Sequence, residues 1–134
     1  MSEEARVGIV LVSHSSSLDE GAAELAGQVG GGTVLIVPAG GTDDGRIGTS
    51  EAKVRSAIIA ADSGAGVLIL PDLGSAVLTV RVLLSESQGL PEPVALADAP
   101  FVEGAVAAAV AAAVGGDVKA VLAAAEEARH ARKL

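Results

Sequence analysis

The stretch Val7-Gly8-Ile9-Val10-Leu11-Val12, followed at once by Ser13-His14-Ser15-Ser16-Ser17, decides the fold. Its first part is an unbroken aliphatic run without polar alternation, which is typical of a parallel strand covered on both faces. Similar runs occur at residues 33–37 and 66–70, and a weaker one at residues 93–97. The sequence therefore predicts an open, mostly parallel sheet of about four strands.

Helical patterns lie between and after these runs. The first has apolar residues at helical spacing, namely Leu18, Ala22, Leu25, Ala26 and Val29. Ser17 and Glu20 predict a capping box at the start of this helix. Further helices are predicted over residues 50–61, 75–85, 102–114 and 118–132, the last two separated by Gly115-Gly116. Strands alternating with helices indicate a single α/β domain over residues 1–134, with helices flanking the sheet.

Composition excludes several classes of protein. The chain has no cysteine, so disulfides, thiolate metal sites and Cys nucleophiles are ruled out. A net charge of −8 and 1% aromatic residues argue against a nucleic-acid partner. No apolar run approaches the ~20 residues of a membrane span, and the N-terminus does not resemble a signal peptide. We expect a cytoplasmic protein with no membrane partner, no metal site and no cofactor.

The predicted sheet places three polar segments together. In open parallel sheets ligands bind beyond the carboxyl ends of the strands, and here those ends are followed by residues 13–17, 39–50 and 71–76. These segments carry a histidine, several hydroxyls, carboxylates and glycine-flanked N–H groups. Helix N-termini near Ser17 and Ser75 add a positive dipole end. This inventory suits the binding of a phosphoryl group.

His14 is the predicted nucleophile, because its imidazole follows a buried strand directly. A carboxylate on the second ring nitrogen would fix the tautomer; Asp72 is the first choice for this role, and Asp43 and Asp44 are weaker ones. Taken singly, His14 is equally well a structural or merely exposed residue, and Asp72 a turn residue or helix cap. His130 is predicted to lie on a solvated helix face.

Four motifs resemble a known family when read in order. They are Val12-Ser13-His14-Ser15-Ser16, Gly40-Gly41-Thr42-Asp43-Asp44, Ile47-Gly48-Thr49-Ser50 and Asp72-Leu73-Gly74-Ser75-Ala76. Over about residues 6–85 the chain resembles the first domain of the DhaM subunits of dihydroxyacetone kinases, a branch of the mannose-type IIA domains of the bacterial phosphotransferase system (PTS). The loop around Gly45-Arg46 is shorter than in that branch. Three roles therefore stay open for Arg46: it contacts phosphate, it contacts a partner, or its side chain is simply solvated.

The resemblance implies a phosphotransferase with a phosphohistidine intermediate. In the family, the residue matching His14 takes a phosphoryl group from the carrier protein HPr, with Nε2 the implied acceptor nitrogen. It passes the group to ADP on the subunit DhaL, and the ATP formed phosphorylates dihydroxyacetone on the subunit DhaK. The resemblance also implies a homodimer. Carried over by position, Asp72 orients His14, and the phosphate-site neighbours are Ser15, Gly41, Thr42, Gly74 and Ser75.

Two other functions remain open from the sequence. The first is a mannose-type IIA domain that serves a sugar transporter. The second is a regulatory module of the same fold that transfers no phosphate. Self-association is also expected from the residues themselves, because the two Ala- and Val-rich helices at the end of the chain are too apolar to be solvated all round.

Overall fold

A single parallel sheet organises the structure. The computed structural model describes residues 5–86 and 88–134, and its four strands lie in the order β2-β1-β3-β4, all parallel. The elements are β1 (Gly8–Val12), α1 (Ser16–Val29), β2 (Ile36–Pro38), α2 (Glu51–Ala61), β3 (Val67–Pro71), α3 (Gly74–Glu86), β4 (Val94–Leu96), α4 (Phe101–Ala113) and α5 (Val118–Glu127), then a 3₁₀ turn at Ala128–His130. The predicted α/β architecture is confirmed.

The sheet is buried on both faces, as its continuous apolar strands require. Alternate residues of β1 point to opposite layers: Ile9 and Leu11 pack in the layer formed with α1, α4 and α5. Val10 and Val12 pack in the layer formed with α2 and α3. β1 is the second strand of the sheet, between β2 and β3, so the segments that follow these three strands are neighbours.

Small residues let the helices approach closely. The buried face of α4 consists of alanine and glycine, namely Gly104, Ala105, Ala108, Ala109 and Ala112. A Cβ built on Gly104 would lie 3.0 Å from Leu70 Cδ2 and 3.1 Å from Ala99 Cβ, so a side chain here would force its neighbours to shift. In a core almost without aromatic residues, α4 therefore packs through the small residues of its buried face.

The predicted start of α1 is wrong. Ser15 is the N-cap: its backbone is extended and its hydroxyl accepts a hydrogen bond from the Leu18 N–H at 3.2 Å. Ser17 is already inside the helix, so it forms no capping box with Glu20. The apolar face predicted for α1 is only partly buried. Ala22 and Ala26 are buried, while Leu18, Leu25 and Val29 are exposed.

The other element boundaries differ from prediction by a few residues. β2 begins three residues later than predicted and ends at Pro38, and α3 begins one residue earlier, at Gly74. α5 ends at Glu127, where the chain tightens into the 3₁₀ turn that contains His130. Among the described residues, we find no helix whose length and apolar character would suit a bilayer crossing.

Candidate functional site

The three polar segments meet at the carboxyl edge of the sheet, as predicted. Asp72 N–H donates to the Val12 carbonyl at 2.9 Å, which extends the β1–β3 pairing by one step. On the other side, Gly41 N–H donates to the Ser13 carbonyl at 3.0 Å, and Gly48 N–H donates to the His14 carbonyl at 2.9 Å. The backbone of the His14 segment is therefore tied to the loops on both sides of β1.

Asp72 is the carboxylate that faces His14. Its Oδ1 lies 2.8 Å from His14 Nδ1, and its Oδ2 accepts the His14 backbone N–H at 3.0 Å. Oδ2 also accepts the Ser13 hydroxyl at 2.9 Å, and Oδ1 accepts the Leu73 N–H at 2.7 Å. Burial raises the pKa of Asp72, but the hydrogen bonds from His14, Ser13 and Leu73 outweigh it and hold that pKa below its ordinary value. Asp72 is thus an ionised acceptor at neutral pH.

This arrangement selects one tautomer of His14. An ionised carboxylate only accepts hydrogen bonds, so Nδ1 carries the ring proton. The other nitrogen, Nε2, is left with its lone pair and meets the Ser75 hydroxyl, which donates to it. His14 is mostly buried, with 19% of its side chain exposed. The geometry therefore presents Nε2 as a positioned nucleophile.

Two helices begin beside this ring. α1 begins at Ser16, directly after its N-cap Ser15, and α3 begins at Gly74, next to the residue that contacts Nε2. Helix N-termini attract anions through their N–H groups and dipoles. A phosphoryl group on Nε2 would thus lie beside the start of α3 and the Ser75 hydroxyl.

The loop between β2 and α2 closes on itself. Thr42 N–H donates to the Arg46 carbonyl at 2.9 Å, Arg46 N–H donates back to Thr42 Oγ1 at 3.0 Å, and that hydroxyl also contacts Asp44. The Arg46 guanidinium pairs with Asp44 at 2.7 Å and is the main reason that the pKa of Asp44 is lowered. Gly41 adopts a positive φ of 76°, which permits the sharp entry into this turn.

The predicted residues divide into two groups. His14 contacts Asp72 through one ring nitrogen and Ser75 through the other, with Ser15, Gly41 and Gly74 on adjoining backbone. Thr42 instead hydrogen-bonds within its own turn. Asp43 contacts the N-cap Ser50 and Asp44 pairs with Arg46, so in the described contacts neither orients His14. Arg46 and His130 are exposed.

Sequence reasoning missed two residues at this edge. Ser13 is fully buried and links Asp72 to the Ser15 N–H through its hydroxyl; its place next to His14 was the available signal. Asp19 is also fully buried, and no motif marked it. The described residues contain no group of three or more His, Cys, Asp or Glu side chains placed to hold a metal ion.

The comparison with known families agrees with the motif order. The profile of the EIIA-man family, described as the PTS system fructose IIA component, matches residues 8–122. The chain belongs to this EIIA-man family. The resemblance to its DhaM branch is confirmed by relatives that are 37–40% identical over most of the chain.

Among these relatives is the phosphoryl donor subunit DhaM of PEP-dependent dihydroxyacetone kinase 2 from Listeria innocua. It is 38% identical over 117 residues, which cover 87% of this chain and 94% of the relative. The Escherichia coli DhaM subunit is 40% identical over 131 residues, which cover 95% of this chain but 28% of that longer protein. A similar solved structure, that of the protein of unknown function EF1359, has a TM-score of 0.78 and 37% identity, covering 91% of this chain and 94% of that one.

Proposed function

We propose that this chain is the phosphoryl carrier of a PEP-dependent dihydroxyacetone kinase. It takes a phosphoryl group from phospho-HPr onto His14 and passes it to ADP bound on DhaL, which works with the dihydroxyacetone-binding subunit DhaK. One observation carries the proposal: Asp72 Oδ1 holds His14 Nδ1 at 2.8 Å, which leaves the Nε2 lone pair facing the Ser75 hydroxyl at the start of α3. The DhaM relatives support the choice of kinase.

The transfer step needs no proton relay. The Nε2 lone pair attacks phosphorus while the N–P bond to the donor histidine breaks, and the departing imidazole keeps the bonding electron pair. The Nδ1 proton stays in its hydrogen bond to Asp72, which stabilises the positive charge that develops on the ring. Because the transition state spreads negative charge over the phosphoryl oxygens, the Ser75 hydroxyl and the N-terminus of α3 at Gly74 stabilise it. The N–H groups of Ser15 and Gly41 instead donate to Ser13 and hold the backbone around the site.

A sugar-transport role is the second candidate. The family profile carries the description of a fructose IIA component, and such a domain passes its phosphoryl group to a IIB domain. The two candidates share His14 and its chemistry, so the acceptor protein alone separates them.

A labelling assay tests the proposal. Enzyme I, HPr and ³²P-labelled phosphoenolpyruvate should place acid-labile phosphate on this chain. The label should be absent in His14→Ala and retained in the control His130→Ala, which changes the other, exposed histidine. Addition of ADP-loaded DhaL should then discharge the label as ATP. Label that persists in His14→Ala would disprove the role of His14.

The other outcomes separate the candidates. Discharge by a IIB domain but not by ADP-loaded DhaL would instead support sugar transport. If active HPr leaves no label on the wild-type chain, the domain is a regulatory module that transfers no phosphate.

The remaining parts of the proposal concern organisation. We place the protein in the cytoplasm, with residues 1–134 acting as one domain and as a homodimer. Exposed apolar side chains on the outer side of α1, at Leu18, Leu25 and Val29, support self-association. A dimer should sediment at micromolar concentration, and a monomer at that concentration would contradict it.

A further inference from the structure

Asp19 is a carboxyl group buried among the elements that carry the candidate site, although the transfer step does not use it. Its side chain is fully buried in the first turn of α1. Oδ2 accepts the Ala39 N–H at 2.9 Å, an N–H that is shared with the Leu11 carbonyl. Oδ1 has no hydrogen-bond partner among the described residues. A buried carboxylate with an unpaired oxygen is unfavourable, so its presence here calls for a reason.

Asp19 lies where the β2–α2 loop meets the His14 segment. Ala39 is the first residue of that loop, and a Cβ built on Gly40 would lie 2.8 Å from Asp19 Cβ and 2.9 Å from the Ser15 carbonyl oxygen. One residue later, Gly41 donates to the Ser13 carbonyl at 3.0 Å. The loop backbone is therefore packed on the Asp19 side chain and bonded to the strand end that carries His14.

We propose that Asp19 is a positioning residue that seats residues 39–42 against the His14 segment and takes up a proton when His14 is phosphorylated. The proposal rests on the phosphoryl-carrier function. A phosphoryl group adds nearly two negative charges at this edge of the sheet, and a nearby negative charge favours the neutral form of a carboxyl. By linkage, an ionised Asp19 favours release of the phosphoryl group.

The surrounding charges agree with this role. Burial, with smaller contributions from the charges of Asp72 and Glu20, raises the pKa of Asp19 to about 7 despite the lowering effect of the Ala39 and Ser13 backbone groups. On the far side of the loop, Lys53 of α2 donates to the Gly40 carbonyl at 3.1 Å. His14 is a further titratable group at this edge of the sheet, and it contacts Asp72. Because the pKa of Asp19 is about 7, this carboxyl is only partly protonated at neutral pH. An added negative charge nearby therefore increases its protonated fraction.

Amide NMR tests the positioning part. The Ala39 and Gly40 amide shifts should titrate with a midpoint near pH 7 in the unphosphorylated protein. That titration should be retained in Glu20→Gln, which removes the adjacent exposed carboxylate, and lost in Asp19→Asn, which keeps the side-chain shape. When enzyme I, HPr and phosphoenolpyruvate hold His14 phosphorylated, the wild-type midpoint should rise by half a pH unit or more. A midpoint that does not move, or a titration that survives in Asp19→Asn, would overturn the proposal.

The phosphoryl equilibrium gives a second readout, which a purely structural role would not move. At a fixed ratio of phospho-HPr to HPr, we compare the phosphorylated-to-free ratio of the wild type with that of Asp19→Asn. The quotient of these two ratios should fall at least twofold from pH 6 to pH 8. An unchanged quotient would count against the linkage. If neither protein takes up label, the carrier function fails and the coupling fails with it, while the amide titration of the unphosphorylated chain still decides whether Asp19 seats the loop.

Discussion

Asp72 holds His14 at two points, the ring Nδ1 at 2.8 Å and the backbone N–H at 3.0 Å. One carboxylate thus fixes both the direction of the imidazole and the course of the chain at the end of β1. The two contacts use different oxygens, so the orientation of the ring is coupled to that of the backbone.

Asp72→Asn should slow phosphoryl transfer to His14 by about 10²-fold or more. An amide N–H in place of Oδ1 would donate to Nδ1, so the ring proton would move to Nε2 and block the nucleophile. Rapid-quench labelling by phospho-HPr measures the rate, and circular dichroism checks the fold. Asp98→Asn, which changes an exposed carboxylate paired with Arg129, should behave as wild type. A wild-type rate for Asp72→Asn would refute the orienting role.

Ser75→Ala should reduce transfer about 2- to 10-fold, the loss of one hydrogen bond worth roughly 0.5–1.5 kcal/mol. The Ser75 hydroxyl contacts Nε2 in the free protein and would donate to a phosphoryl oxygen in the transition state. The same labelling assay measures it. Ser85→Ala is the matched control, because that hydroxyl lies on the same helix and bonds only the Val82 carbonyl among the described contacts. Equal rates for the two variants would contradict this role.

Gly40→Ala should destabilise the fold by about 1–3 kcal/mol in urea unfolding, because the new methyl group overpacks the site. The added Cβ would meet Asp19 and the Ser15 carbonyl at under 3.0 Å. Gly27→Ala offers the comparison: it lies within α1 with open space around it, and alanine there should stabilise by about 0.5–1 kcal/mol. Similar changes in both variants would show that the Asp19–Gly40 contact is not tight.

Asp19 should make stability fall as pH rises. Its pKa of about 7 in the folded state exceeds the ordinary value of 3.8, so between about pH 4 and pH 7 the folded chain holds a proton that the unfolded chain has released. The free energy of unfolding should therefore fall by up to about 1.4 kcal/mol per pH unit in this window. Relative to Asp19→Asn, the wild type should lose about 2–3 kcal/mol between pH 5 and pH 7. If the free energy of unfolding changes with pH in the same way in both proteins, the raised pKa of Asp19 is disproved.

The sequence was informative where local pattern and position agreed. The aliphatic run of β1 predicted a buried parallel strand, and its place in the chain order brought His14 and Asp72 to one edge. Asp72 was preferred over Asp43 and Asp44 because its turn follows the third strand, and the structure brings it to His14. These inferences needed only the alternation of strands and helices.

Features that depend on tertiary contacts were not predictable. Each of three consecutive serines suits an N-cap, and Ser15 takes that role in a segment whose backbone is bonded to Gly41 and Gly48 from outside it. Asp19 reads as an exposed helix residue, because charged side chains are rarely buried. Its burial depends on a loop twenty residues further along the chain.

The anchored ring of His14 has a kinetic consequence under the proposed function. With Nδ1 held by Asp72, Nε2 is the ring nitrogen left to exchange a phosphoryl group with another protein, on a side chain that is 19% exposed. Donor and acceptor must then occupy the same approach in turn, each leaving before the other arrives. If the proposed function holds, the carrier should follow ping-pong kinetics, and unphosphorylated HPr should inhibit the discharge step by competing with the acceptor.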